Sequence, residues 1–404
     1  MERLVHRFRN NTTSIPYGNK GWEEANQNHV LGIRVKVKGD DKVEDKQQHE
    51  FVNFCSCSYL GLNSHPKIIE GAHRALEREK VIAIPISRIR VQLAILDELE
   101  RELSDLFRCR TVATLSASCA TTGVLPLVAS GHLMDDQQPR VMVFDRFCHF
   151  SMNLIKPICA DETTVLTAPH NDLDFLEDIC KKHKRVAYVA DGAYSMGGAT
   201  VLKGLLELQD RYGLFLFFDD SHSISIIGER GEGFVRSQLG PELNPLTCIV
   251  GSLAKAFGSG GGFVMLGPVK HEPILTRFGG PLSWSQGPNV PTIGATLASI
   301  EIHRSPELGQ LQKKLQENVA LFDSLVETPQ RDNGLNIKLV NAGSETQAAQ
   351  YSGEIYKRGF YTSAVFFPIL ERGKAGLRVM IRADNQPEDI RRFSQVVRDV
   401  VQLD

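Results

Sequence analysis

A lysine among small residues is a candidate for imine chemistry. Lys255 lies in the stretch 248–263, CIVGSLAKAFGSGGGF, with Ser252, Ala254, Ala256 and Gly258 around it. Small neighbours let a flat ligand approach, and partial burial lowers the amine's pKa so that a nucleophilic form exists near neutrality. The apolar run Cys248 to Val250 reads as a buried strand leading into this loop. A lysine in a glycine-rich loop is more often a solvated surface residue, so Lys255 alone decides nothing.

A second cluster shifts the balance. Residues 214–218, LFLFF, form a continuous apolar run and end in Asp219, Asp220, Ser221 and His222. Such a run marks a parallel strand buried on both faces. Open α/β sheets place ligand chemistry at the carboxyl ends of such strands. Taken alone, the acids read as caps of the next helix. Together, the lysine and a strand-end carboxylate suggest pyridoxal phosphate, with the amine for its aldehyde and the acid for its ring nitrogen.

These residues need elements to hold them. Val141–Phe144 and 185–191 are further buried strands, ending in Asp145 and Asp191. Leu96, Leu99, Leu103 and Leu106 follow helical spacing and read as core. Ser64 to Pro66 starts a helix with Ile68, Ala72 and Leu76 on its apolar face. Residues 36–46 read as a hairpin or loop, and Met1 to Arg9 as a short amphipathic helix. Beyond Pro291 come long helical stretches, 293–302 and 308–327, and then short strands.

A length of 404 residues points to one large domain plus a smaller one. With 46 basic against 48 acidic residues, composition offers no hint of a nucleic-acid or membrane-surface partner. No apolar run approaches membrane-spanning length, and the first residues lack a signal-peptide core. The eight cysteines are scattered, and Cys55 and Cys57 lack zinc-knuckle spacing, so reduced cytoplasmic thiols and no metal site are expected.

From Asn53 to Ile390 an ordered series of motifs resembles the α-oxoamine synthase family of fold-type I pyridoxal-phosphate enzymes. Residues 53–62, NFCSCSYLGL, resemble its Asn-Phe-x-Ser-x-Asn-Tyr-Leu-Gly-Leu segment, with Ser58 where the family has a substrate-binding asparagine. Residues 84–88, IPISR, keep Arg88 but lack the family's glycines and a later histidine. Residues 115–123, LSASCATTG, match a phosphate-binding helix start, in which the amides of Ser118 and Cys119 would face the phosphate. In the Asp145 to Ser151 element, His149 would stack on the cofactor ring, and in the Asp191 to Met196 element Ser195 would lie beside it. Asp219 would hold the ring nitrogen, His222 the ring hydroxyl and Ser252 the phosphate. Ser285, in the Trp284 to Gln286 segment, would reach a neighbouring subunit's phosphate. Arg378, in residues 376–383, GLRVMIRA, would clamp the substrate carboxylate, with Arg382 a second candidate and Asp384 and Asn385 replacing a common histidine.

The resemblance implies an α/β fold, a large domain (59–290) on a mainly parallel seven-stranded sheet, and a small domain (291–404) joined by the 1–58 segment. It implies a cytoplasmic homodimer with pyridoxal 5'-phosphate. The reaction would be decarboxylative condensation of an amino acid with an acyl thioester, on coenzyme A or a carrier protein, giving an α-amino ketone. Lys255, His149, Asp219 and His222 would be its catalytic residues. An aminotransferase or aldolase is the alternative with the same apparatus, and a non-catalytic partner subunit or cofactor-binding regulator the alternative outside enzymes.

Overall fold

The computed structural model describes residues 33–39, 42–366, 369–371 and 373–402. The helix expected at residues 1–9 lies outside them. In chain order the strands are β1 (Val35–Gly39), β2 (Lys42–Asp45), β3 (Glu50–Asn53), β4 (Arg110–Thr114), β5 (Val141–Asp145), β6 (Val165–Ala168) and β7 (Val186–Asp191). They continue with β8 (Phe215–Asp219), β9 (Thr247–Ser252), β10 (Gly262–Leu266), β11 (Ile337–Asn341), β12 (Phe360–Tyr361), β13 (Ser363–Val365) and β14 (Gly376–Met380). The chain divides into two compact units. The larger is Leu62–Ser195 with Ala199–Gln312, and the smaller takes the described residues up to Gly61, Met196–Gly198 and those from Lys313 onward.

The larger unit holds a seven-stranded sheet in the order β4-β10-β9-β8-β7-β5-β6. Six strands point the same way, and β10, inserted between β4 and β9, is antiparallel to both. This is the α/β fold the sequence implies. In β8 the apolar run serves two cores: Leu216 and Phe218 pack into one cluster, Phe215 and Phe217 into another. A strand with helices on both faces must be apolar on both, which is why it does not alternate.

The sequence reading ended the large domain at residue 290, whereas the compact unit runs to Gln312. The helix Val290–His303 belongs to it because it crosses the helix Pro66–Glu79 at glycines. A Cβ at Gly294 would fall 2.4 Å from the Ala75 Cβ, and one at Gly71 2.5 Å from the Ala298 Cβ.

The smaller unit carries two sheets. One pairs the β1–β2 hairpin, expected at residues 36–46, with β3 and β12; the other is antiparallel β11-β14-β13. Its core stacks Phe54 on Phe393 at 4.0 Å between centroids, with Phe322 and Phe360 alongside.

Candidate active site

Four parallel strands bring polar residues to their carboxyl ends in the larger unit. Asp145 ends β5, Asp191 ends β7, Asp219 ends β8 and Ser252 ends β9. Asp191 and Asp219 are register partners. The chain therefore sets two carboxyl groups on neighbouring strands, where repulsion and dehydration both act.

Lys255 follows β9 in a braced loop. Gly258 donates its N–H to the Lys255 carbonyl (3.0 Å), and the Ser299 hydroxyl donates to the Phe257 carbonyl (2.6 Å). Gly258 sits at φ +78°, and a Cβ there would meet Leu62 at 2.4 Å, so the position requires glycine. The braces leave the half-buried Lys255 with its Nζ 2.9 Å from His222 Nε2. The lysine and the imidazole named from sequence are in contact.

Asp219 is 5% exposed, and its Oδ1 accepts the Ser221 N–H at 3.0 Å. Its Oδ2 has no hydrogen-bond partner among the described residues. Asp220 faces the other way. Its Oδ2 accepts the Val235 N–H at 2.8 Å, and Gly192 and Gly233 leave room for the carboxyl group. Burial raises its pKa to about 7. Asp220 belongs to the scaffold.

His149 caps the helix Phe150–Glu162. Its Nδ1 accepts the Ser151 N–H at 3.3 Å, and its own N–H donates to Asp191 Oδ1 at 3.2 Å. Burial, against the opposing charge of Asp219, lowers the pKa of His149. Asp191 was quoted in the sequence only as part of a motif, yet it is fully buried, its Oδ2 lacks a partner, and burial plus Asp219 raises its pKa well above the usual range. Asp145 likewise gathers the Phe147 and Asn171 amides, His170 and the Tyr188 hydroxyl, fixing the loop that carries His149. Both end buried strands as Asp219 does, and the sequence reading named them as strand ends but gave a role only to the acid at β8.

The helix Ala117–Ala129 begins beside β10, where a Cβ at Gly262 would fall 2.3 Å from the Ala117 N. Its cap is Ser116, whose Oγ accepts the Cys119 N–H at 3.1 Å. The Cys119 amide is thus already engaged, and the Ser118 amide remains at the helix start. Ser252 Oγ accepts the Ala254 N–H at 3.2 Å, half-buried Ser195 follows β7, and Ser285 donates to the Pro281 carbonyl at 2.5 Å.

Arg88, named from sequence for the substrate, is held by an acid of the scaffold. Its Nη1 lies 2.9 Å from Glu100 Oε1 in a buried pair and 3.4 Å from the Ala113 carbonyl, which ties it to the β4 region. In the smaller unit, Arg382 is paired with Asp384, the residue standing where a histidine was expected. Arg378 differs. Its Nε is buried without a hydrogen-bond partner and it makes no ion pair among the described residues. Its neighbours are Cys55, Tyr59 and Tyr361, and burial raises the pKa of each, which disfavours their anionic forms. Ser58, in the same unit, is 6% exposed.

The set fits pyridoxal phosphate on the observed geometry. It offers an amine touching an imidazole, a buried carboxylate with one oxygen unpartnered, and a helix start for an anion. No group of three or more metal-ligating side chains occurs among the described residues.

Comparison with known proteins agrees. Residues 49–397 match the family described as aminotransferase class I and II. The chain is 27% identical over 386 residues to an 8-amino-7-oxononanoate synthase of Coprothermobacter proteolyticus, covering 91% of this chain and 93% of that one. It is 28% identical over 353 residues to another from Thermoanaerobacter pseudethanolicus, covering 84% and 85%. The Sphingomonas wittichii serine palmitoyltransferase structure superposes with a TM-score of 0.80 at 17% identity, covering 94% and 96%.

Proposed function

The chain belongs to the aminotransferase class I and II family, and from that premise we propose a pyridoxal-phosphate-dependent acyltransferase of the α-oxoamine synthase type. It joins the Cα of an amino acid to the acyl carbon of a thioester, on coenzyme A or a carrier protein, with loss of carbon dioxide. The observation that carries this reading is the Lys255–His222 contact at 2.9 Å beside the buried carboxylate of Asp219.

Bound pyridoxal phosphate supplies an aldehyde for the amine and a ring that draws electrons from Cα. Lys255 Nζ would provide the primary amine for the aldehyde and, as a free amine beside Cα, would be the base that takes the Cα proton and returns one. His222 orients Nζ and offers a donor to the ring hydroxyl. Asp219 presents its unpartnered oxygen to the ring nitrogen and holds a proton there. His149 supplies a flat face and Ser195 a flanking hydroxyl, while Ser118 and Ser252 hold the phosphate. Arg378 takes the substrate carboxylate, with Ser58 as a second substrate contact, since a half-buried guanidinium whose Nε is buried without a partner is costly until an anion arrives.

The enzyme is proposed to be a cytoplasmic homodimer, with Ser285 reaching the neighbouring subunit. Phe150, Leu154 and Ile158 support this, because they form an i, i+4, i+8 stripe, each about half exposed (51%, 48% and 50%). All eight cysteines are unpaired, and no described helix is long and apolar enough to cross a membrane.

The reaction is tested by incubating the cofactor-loaded protein with a panel of amino acids and acyl-coenzyme A thioesters, and measuring free thiol and carbon dioxide. Release of both only when both substrates are present is expected. Amino-group exchange with a 2-oxo acid, without thiol release, would instead identify an aminotransferase. Sedimentation of Leu154→Glu should show monomers where the parent is a dimer; an unchanged dimer places the interface elsewhere.

A further inference from the structure

At the amino ends of β5 and β9, opposite the strand ends that carry Asp145 and Ser252, the larger unit has a second cavity. It measures about 270 Å³ and is lined by Leu133, Met134, Asp136, Arg140, Leu246 and His271, among others. Its charges do not cancel. Asp135 is taken by Lys270 at 2.7 Å and by His271 at 3.4 Å, and Asp136 by Arg185 at 2.6 Å. Arg140 is left with a long 3.5 Å approach to Asp136, and its Nε is buried with no hydrogen-bond partner although the residue is only 7% exposed. Burial disfavours the charged forms of both Arg140 and His271, so His271 stays neutral. Three fixed cations therefore face two carboxylates, leaving one positive charge unmatched at a cavity wall. A desolvated guanidinium in that state is stabilised by an incoming anion.

We propose that this cavity is a binding site for a monocarboxylate with an apolar body, its carboxylate seated on Arg140. The two carboxylates disfavour a dianion such as phosphate, and Leu133, Met134, Pro245 and Leu246 offer an apolar wall. The volume exceeds the roughly 150 Å³ of an engineered cavity that holds benzene, so a chain of about six to eight carbons fits.

Titration calorimetry of the holoenzyme with sodium octanoate tests this. One saturable site per chain is expected, weakened at least about tenfold in Arg140→Met, because the charge-assisted contact is lost. Leu246→Trp, which fills the wall and keeps the guanidinium, should weaken binding similarly. Arg378→Ala should leave it unchanged, and inorganic phosphate should not compete. The thermal midpoint of Arg140→Met should not fall, since a buried, poorly paired charge is replaced by an apolar chain of similar size. Absent saturation, parent-like affinity in both cavity variants, or loss of binding in Arg378→Ala alone would overturn the proposal. Should Arg140→Met fail to fold, Leu246→Trp decides by itself, and undiminished octanoate binding there rejects the site.

Discussion

Borohydride reduction of the holoenzyme should fix the cofactor on Lys255, whose Nζ touches His222. Peptide mapping checks it, and label on any other lysine ends the assignment. Asp219→Asn should keep the fold but lose roughly 100-fold or more in turnover, the usual cost of removing one preorganised electrostatic partner. Asp220→Asn should chiefly affect stability, because its carboxyl group holds the Val235 amide. Near-normal turnover in Asp219→Asn would exchange those two roles. Arg378→Ala should raise the apparent amino-acid dissociation constant at least about tenfold, since a charge-assisted contact contributes roughly 1.5–3 kcal/mol, while Ser58→Ala, losing about 1 kcal/mol at most, should act mildly. Spectral titration with amino acids gives both constants, and a larger effect at Ser58 would move the carboxylate elsewhere. At this scale Lys255, Asp219 and His222 were legible because chemistry demands those residue types after buried strands. Asp191 was not, because its importance comes from pairing in register with Asp219. Ser116 was missed because a cap and an anion site share the same small polar residues, and only the hydrogen bond to Cys119 separates them.

Buried strands announced themselves by unbroken apolar runs, and β8 shows why: its side chains feed two cores at once. The antiparallel insertion of β10 between β4 and β9 leaves no such mark, since direction is set by the loop that carries Lys255 and not by side-chain pattern. Arg88 belongs to this scale too. Sequence offered it as a ligand for substrate, but the partner that claims it, Glu100, comes from the helix Ala94–Phe107. Glu100 also meets Arg110 at 2.9 Å and accepts the Ala113 amide at 3.0 Å, tying that helix to β4. Removing one member of a buried pair leaves uncompensated charge. Glu100→Gln should therefore cost about 3–5 kcal/mol, read as a lower urea midpoint. Arg88→Met should alter the amino-acid constant little, because its guanidinium braces β4. A large rise in that constant with unchanged stability would restore Arg88 to the substrate.

For the molecule as a whole, two buried groups near the lysine loop give opposing pH responses. Asp220 has its pKa raised to about 7, so the folded state retains a proton that the unfolded chain releases near pH 4. Its stabilisation is fully present below pH 4 and lost as pH rises through about 7. His303 is fully buried, stacked on Phe257 at 4.2 Å, with Nε2 2.8 Å from Ser225 Oγ, and burial lowers its pKa to about 4. Its stabilisation is present above the unfolded value near 6.5 and lost as pH falls through about 4. Between pH 4 and 6.5 one group releases in unfolding the proton that the other takes up, so their slopes, each about 1.4 kcal/mol per pH unit, offset one another. Asp220→Asn removes only the falling slope. Relative to the parent, its stability should climb by about that amount per unit from pH 4.5 to 6.5, as measured by urea unfolding at each pH. His303→Gln, which keeps a polar side chain in the same place, should show the reverse, a relative fall over the same window. Parallel profiles for parent and variants would mean that both groups titrate alike in the folded and unfolded chain, and that burial holds a proton state in the native protein at neither Asp220 nor His303.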